Sequence, residues 1–321
     1  RLLSFPEKIA FILLVLISFS LSFISFSKMF RSIARGSQAI DWIGALKNIS
    51  KGLKVFISQN TLFKTRPLVG FVHAIVAWGF SLYLLVNVVD VLYGFIPEFH
   101  FFKDHFIGNI YRVFVDIFSV LVLMGVAYFL IRRFILNDKG LIINEPVMLS
   151  DEAKIGMRRD SLFVGMFIII HVGARFLSAS FEIAKNSNDA FQPAATFVSL
   201  LWSNMNESNI VLFEHVTWWI ALGLILGFLP YFPYSKHAHL FMGPLNFMVT
   251  KPKRSMAAIE AIDFEDDSIE QFGAGKIEDL PQKQILDAFA CIQCSRCQDA
   301  CPAYETGKEL SPSAIEINKR Y

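Results

Sequence analysis

Cysteine is scarce: the 321 residues hold four, all of them between positions 291 and 301. Everything before Cys291 is therefore free of any disulfide framework, and the chemistry of that end points to a reducing compartment. Charge is scarce as well, at 18% of residues against 54% apolar ones, and mean hydropathy is +0.47. A water-soluble enzyme is excluded, because most charges fall between long apolar runs instead of alternating with apolar positions as on an amphipathic surface helix. Neither sign of charge dominates, with Lys+Arg 30 against Asp+Glu 28 and a formal net charge of +2. Nothing in that balance calls for a nucleic-acid partner.

What is present is five apolar segments, at about 9 to 27, 68 to 94, 112 to 131, 161 to 181 and 211 to 234. A bilayer core of roughly 30 Å takes about 20 helical residues, and each segment meets that length. The first follows Lys8 and ends in Ser25-Phe26-Ser27-Lys28, a poor cleavage site, so it reads as an anchor and not as a signal peptide. The predicted fold class is an all-α membrane protein, a five-transmembrane-helix bundle followed by a small ferredoxin-like 4Fe-4S segment. Lys and Arg crowd the first connection (Lys28, Arg31, Arg35, Lys47, Lys51, Lys54, Lys64, Arg66), the third (Arg132, Arg133, Lys139, Lys154, Arg158, Arg159) and the stretch after the fifth span (Lys236, Lys251, Lys253, Arg254). The other two connections hold essentially Lys103 and Lys185. This asymmetry predicts an N-terminus outside and a C-terminus in the cytoplasm, in the cell inner (cytoplasmic) membrane.

The domain boundaries follow from composition: a membrane domain over 1–250, a tether over 251–280 carrying the acidic run Asp263 to Asp267 with Glu270, and a cytoplasmic iron-sulfur segment over 281–321. Within the last, Cys291-x2-Cys294-x2-Cys297-x3-Cys301-Pro302 has the spacing by which thiolates hold an iron-sulfur cube. Structural zinc sites instead pair two Cys-x2-Cys knuckles across a longer insert. In two-cluster ferredoxins the fourth cysteine of such a run serves the other cluster, and no second run is present here. The chain opens on Arg1 without Met and stops at Tyr321 inside a helix begun at Ser311-Pro312. The expectation is that a second cluster motif follows in a further segment, the alternative being one cube completed by Cys301.

Ionisable residues at bilayer depth face the bundle interior. A b-type haem needs two imidazoles from different helices and a basic group for its propionates. His73 near the cytoplasmic end of the second span, His239 near that of the fifth, and Arg66 two turns before His73 suit that need. A membrane histidine can also simply hydrogen-bond a neighbouring helix, and His237 reads as the spare. The outer half of the bundle gathers Asp90, Arg112, Asp116, His171, Arg175, Glu214 and His215. Three readings stand open: a second haem on His171 and His215 with Arg175 on a propionate, a quinone pocket whose His and carboxylates move protons, or charge pairs such as Arg112 with Asp116 that hold helices together. His100 and His105, in an aromatic outer loop, read as interfacial.

Three stretches carry a family resemblance: Arg66-Pro67 through His73 to Phe80, Trp218-Trp219 through Pro233-Tyr-Ser-Lys-His-Ala-His239, and Cys291 to Pro302 with Lys308-Glu-Leu-Ser-Pro312. The chain resembles the haem b membrane subunit of respiratory nitrate reductases fused to a heterodisulfide-reductase-type iron-sulfur domain. The resemblance implies haem between the second and fifth helices and electron passage between a quinone pool and cytoplasmic clusters. It also implies a second ligand ten residues after His73 and another eighteen before His239, where this chain has Tyr83 and Ala221. The family's second haem is thus in doubt at its usual place, and His171 with His215 is the pair that could rebuild it.

The expected function is electron transfer between a cytoplasmic redox protein and menaquinone or a related quinone, within the lipid bilayer, through a 4Fe-4S cluster and haem b, as a respiratory oxidoreductase subunit. The rival is a cofactor-free membrane anchor that recruits a partner complex through its cytoplasmic tail. Interrupted, repeated half-helices, which would suggest a transporter, are missing from the spans.

Overall fold

A computed structural model describes residues 3–97, 99, 105–144, 146–186, 188–250, 263–266, 268 and 272–321. His100, Lys103, Lys251, Lys253, Arg254, Asp267, Glu270 and most of the expected tether lie outside the described residues. Among the described residues the chain is all-helical. In order come α1 (Phe5–Ala34), α2 (Trp42–Lys47), α3 (Ile49–Ser58), α4 (Asn60–Phe63), α5 (Pro67–Phe95), α6 (Phe106–Phe134), α7 (Asp151–Asn186), α8 (Pro193–Ser199), α9 (Glu207–Phe228), α10 (His239–Val249), α11 (Gln282–Ala290), α12 (Arg296–Asp299), α13 (Pro302–Glu305) and α14 (Pro312–Arg320). Five of these, α1, α5, α6, α7 and α9, are long and apolar enough to cross a membrane.

Local chemistry fixes the ends of these helices. Glu7 in the first turn of α1 reaches back to the Ser4 amide at 2.8 Å, half of a capping box. Pro67 occupies the first turn of α5, where its missing N–H costs nothing. The Asn206 side chain accepts from the Asn209 amide at 2.9 Å to start α9. That helix closes at Phe228, short of the expected 234, because Pro230 and Pro233 cannot continue it and the chain turns through short 3-10 segments instead. Its 22 residues still cover about 33 Å, enough for a bilayer core.

The described residues within 1–23, 61–138 and 161–231 form one compact unit, and those within 24–60, 139–160 and 232–321 form a second. In the first, α5 and α6 pack along their length. Gly79 lies where a Cβ would come 2.3 Å from Val122, and Gly125 lies where one would come 2.9 Å from Val76. Small residues that let helix backbones approach are the usual means of association in lipid, where hydrophobicity drives nothing between helices. Ser18 Oγ donates to the Leu226 carbonyl at 2.6 Å, and Phe11 packs on Trp218 at 5.2 Å, tying α1 to α9. In the second unit α10 packs on α2, α3 and α11, while α14 covers α11 and α12. Ile285, Leu286, Ala314 and Ile317 are buried there, the core of the cysteine-bearing segment.

Candidate functional site

In the second unit, Cys291 leaves the end of α11, Cys297 sits in α12, and Cys301 precedes α13. Between the first cysteines the backbone turns left-handed twice, at Gln293 (φ 58) and Ser295 (φ 60). Such residues are costly outside glycine, and here they wind the loop so that the Gln293 amide donates to Cys291 Sγ at 3.4 Å. The fold holds this loop by side chains that the spacing of the cysteines does not disclose. Buried Gln293 donates to Tyr321 Oη at 3.1 Å. Buried Gln298 donates to the Ile142 carbonyl at 3.0 Å and accepts from Ser311 Oγ at 2.9 Å. Arg320 donates to the Cys291 carbonyl at 3.3 Å. Ser311 also accepts from the Ala314 amide at 3.2 Å, so the expected serine cap of α14 also secures the loop.

All four cysteines are free thiols. Burial pushes the Cys291 thiol up to about 11, and the neighbouring Cys294 and Cys297 add to the effect. Burial pushes Cys297 up as well, again with Cys294 adding. Such thiols ionise when a bound cation compensates them. Among the described residues no three His, Cys, Asp or Glu side chains are gathered closely enough to hold a single metal ion. A four-iron cube takes its thiolates one per corner, and the Gln293 amide directed at the Cys291 sulfur suits such a ligand.

In the first unit, His73 lies on α5 with its ring edge toward Phe129 at 6.5 Å. Arg66 is the residue that caps α5. His239 belongs to the second unit and opens α10. Its Nδ1 donates to the Lys236 carbonyl at 2.6 Å, which fixes the tautomer and leaves the lone pair on Nε2. His237 is buried and packs edge-on against Phe232 at 5.6 Å.

The outer polar residues separate into local partnerships. Arg175 donates to Asp90 at 3.1 and 3.4 Å, both side chains buried, and Trp218 Nε1 donates to the Asp90 carbonyl at 3.2 Å. Lys185 pairs with buried Glu214 at 2.5 Å. Arg112 does not meet Asp116; it pairs with Asp189 at 2.5 Å. Asp116 instead accepts from the Ala194 and Ala195 amides at 2.7 and 2.9 Å, capping α8. The reason is geometric: α8 folds back against α6, and its first amides are the nearest donors without an intrahelical partner.

His171 and His215 are not brought together. His215 Nδ1 lies 3.1 Å from Glu7 Oε1, and Trp219 Nε1 donates to the same oxygen at 3.2 Å. His171 Nδ1 donates to the Ala221 carbonyl at 2.8 Å, and Ala221 lies six residues, about 9 Å, beyond His215 along α9. Tyr83 meets the His171 ring edge-on at 5.8 Å and Phe167 stacks on it at 5.7 Å. The two positions without imidazole, Tyr83 and Ala221, thus both contact His171. That ring borders a narrow, mostly apolar pocket walled by Val76, Phe80, Tyr83, Asn87 and Val122 among others. Both His171 Nε2 and Asn87 Oδ1 are buried at its wall without a hydrogen-bond partner. Asn87 escapes a search of the sequence for ionisable residues; its one signal is a polar side chain one helical turn after Tyr83.

No family model and no solved structure matches the chain. Among curated proteins it is 30% identical over 271 residues to the "Probable iron-sulfur-binding oxidoreductase FadF" of Bacillus subtilis (strain 168), covering 82% of this chain and 35% of that protein. It is 27% identical over 253 residues to the "EtfAB:quinone oxidoreductase" of Syntrophomonas wolfei subsp. wolfei, covering 78% of this chain and 34% of that protein. Over 57 residues, 18% of this chain and 8% of the relative, it is 37% identical to the "Probable membrane-anchored ferredoxin" of Chromohalobacter salexigens. The chain spans about a third of the length of the first two relatives, at 35% and 34%. The first two relatives are thus named as oxidoreductases, one of them iron-sulfur-binding, and the third as a ferredoxin.

Proposed function

We propose that the chain is the membrane portion of an oxidoreductase that moves electrons between a cytoplasmic redox protein and a menaquinone-type quinone. The observation that carries this reading is the wound cysteine loop, with Cys291, Cys294, Cys297 and Cys301 as ligands of a 4Fe-4S cluster and the Gln293 amide at the Cys291 sulfur. The relatives support it, one being named an iron-sulfur-binding oxidoreductase and another a quinone oxidoreductase. In this reading the N-terminus is outside, residues 1–250 form the membrane domain, 251–280 a tether, and 281–321 a ferredoxin-like cytoplasmic segment. His73 and His239 would be the residues to hold haem b, and Arg66 the cation for a propionate, as the resemblance to the nitrate reductase subunit implies.

For the outer site the pocket beside His171 favours quinone over a second haem. A bis-imidazole haem needs two histidines, and among the described residues lining the pocket His171 is the sole one. A quinol needs a proton acceptor as it is oxidised, and its ring needs a polar anchor. The His171 Nε2 lone pair, fixed by the Ala221 carbonyl, supplies the first and Asn87 the second. Arg175 with Asp90, Glu214 and Asp116 then shape the helices around it, and His215 with Glu7 forms a separate polar contact. A reduced-minus-oxidised spectrum of the purified full-length protein, with haem and iron quantified per chain, tests the reading. A reduced haem b band with cluster iron supports it, and iron without haem would reduce the chain to a ferredoxin anchor.

A further inference from the structure

Between α1 and α5, both long and apolar enough to cross a membrane, the chain runs through residues 35–66. Two consecutive spans return such a connection to one membrane face. It is not a polar loop. In α2 and α3 Ile43, Leu46, Leu53 and Ile57 are 71, 67, 52 and 61% exposed, with Trp42 and Ile49 exposed beside them. The opposite side is packed: Ala45 is 3% exposed, and a Cβ on Gly52 would come 2.7 Å from Met248 of α10. At about 100° per residue, Ile49, Leu53 and Ile57 share one arc of α3, Gly52 faces α10 on a second, and Lys51 and Lys54 occupy the third. A water-facing helix would not keep six large apolar side chains on its outer surface.

The charge on this connection is one-sided. Arg35, Lys47, Lys51, Lys54, Lys64 and Arg66 stand against Asp41 alone, 6 − 1 = +5. An exposed apolar arc bordered by lysines is the composition of a helix lying in the plane of an anionic membrane surface.

We infer that α2 and α3 form an interfacial platform, with Trp42, Ile43, Leu46, Ile49, Leu53 and Ile57 sunk among the acyl chains and Lys47, Lys51 and Lys54 on the phosphates of anionic phospholipids. The occupant of this face is lipid and not protein. The platform carries the cysteine segment within its own unit, because α10 rests on α2 and α3, α11 rests on α10, and Cys291 follows α11 directly. Asn48 Nδ2 donates to the Met248 carbonyl at 3.1 Å, and Asn246 of α10 hydrogen-bonds Asp287 of α11, so both joints are polar as well as packed. Anionic lipid thereby holds the cysteine loop at a fixed height over the bilayer. The inference requires only that the flanking spans cross the membrane, and it stands apart from the identity of any redox group.

The test uses the full-length protein in vesicles of phosphatidylcholine with a minor fraction of phosphatidylglycerol, with photoreactive p-benzoylphenylalanine placed at Leu46, at Leu53 or, for comparison, at Ser58 on the lysine side. Lipid adducts several-fold more abundant at 46 and 53 than at 58 are expected, with phosphatidylglycerol enriched above its share of the mixture. K47Q/K51Q/K54Q removes that enrichment, and K47R/K51R/K54R retains it. Equal yields at the three positions, adducts to a protein in place of lipid, or enrichment indifferent to the glutamine variant would each overturn the inference.

Discussion

His171 Nδ1 donates to the Ala221 carbonyl at 2.8 Å, so a backbone acceptor on α9 decides which nitrogen of an α7 imidazole keeps its lone pair. The contact ties together two residues that the sequence leaves fifty positions apart. It also gives Ala221 a use other than the one its place in the resembled family implies: its carbonyl orients an imidazole from a neighbouring helix. The freed Nε2 then faces the pocket that Tyr83 and Asn87 also line.

Replacing His171 by Ala is expected to lower quinol-dependent electron transfer about 10²-fold, the range of a lost general acid or base, while haem per chain stays constant. Asn87→Ala should raise the KM for quinol more than it lowers kcat. Quinol kinetics beside the reduced-minus-oxidised spectrum check both. Loss of a haem in the His171 variant would reassign the imidazole as an iron ligand.

The five apolar helices were readable because length and hydropathy alone set them. The outer polar residues were not, since a sequence places Arg112 one turn from Asp116 without knowing that α8 folds back to offer its amides. Asp116 prefers two backbone donors to one neighbouring guanidinium, and Arg112 then finds Asp189. Gln293 and Gln298 were equally silent. A glutamine between cysteines looks like spacer until Tyr321, Ile142 and Ser311 close around it from distant parts of the chain.

The Asp116 cap gives a prediction of its own. Asp116→Ala strips the Ala194 and Ala195 amides of their acceptor and should cost about 1–2 kcal/mol, the range for a lost cap. Amide hydrogen exchange in α8 reads this directly, with faster exchange at Ala194 and Ala195 and little change in α5. Asp116→Asn keeps one oxygen and should fall between.

Asp90 and Arg175 are buried partners whose separate removal is unequal to their joint removal. Asp90→Ala leaves an uncompensated guanidinium among the helices and should destabilise by about 3–5 kcal/mol. The double variant Asp90→Ala with Arg175→Leu should recover most of that loss. Thermal unfolding of the protein in detergent measures the difference, and additive effects of the two substitutions would mean that the pair carries no coupling.

Ser295 holds φ 60 between Cys294 and Arg296, a conformation that glycine adopts freely and a β-branched residue resists. Ser295→Gly is expected to keep cluster iron at the wild-type level, whereas Ser295→Val should add about 1–2 kcal/mol of backbone strain and lower it. Iron and labile sulfide per chain, with the electron paramagnetic resonance of the dithionite-reduced protein, distinguish the two. Because neither substitution touches a thiol, a fall in iron confined to the valine variant would trace cluster retention to the winding of the loop. Equal retention in both would show that the cysteine spacing suffices whatever the backbone between them does.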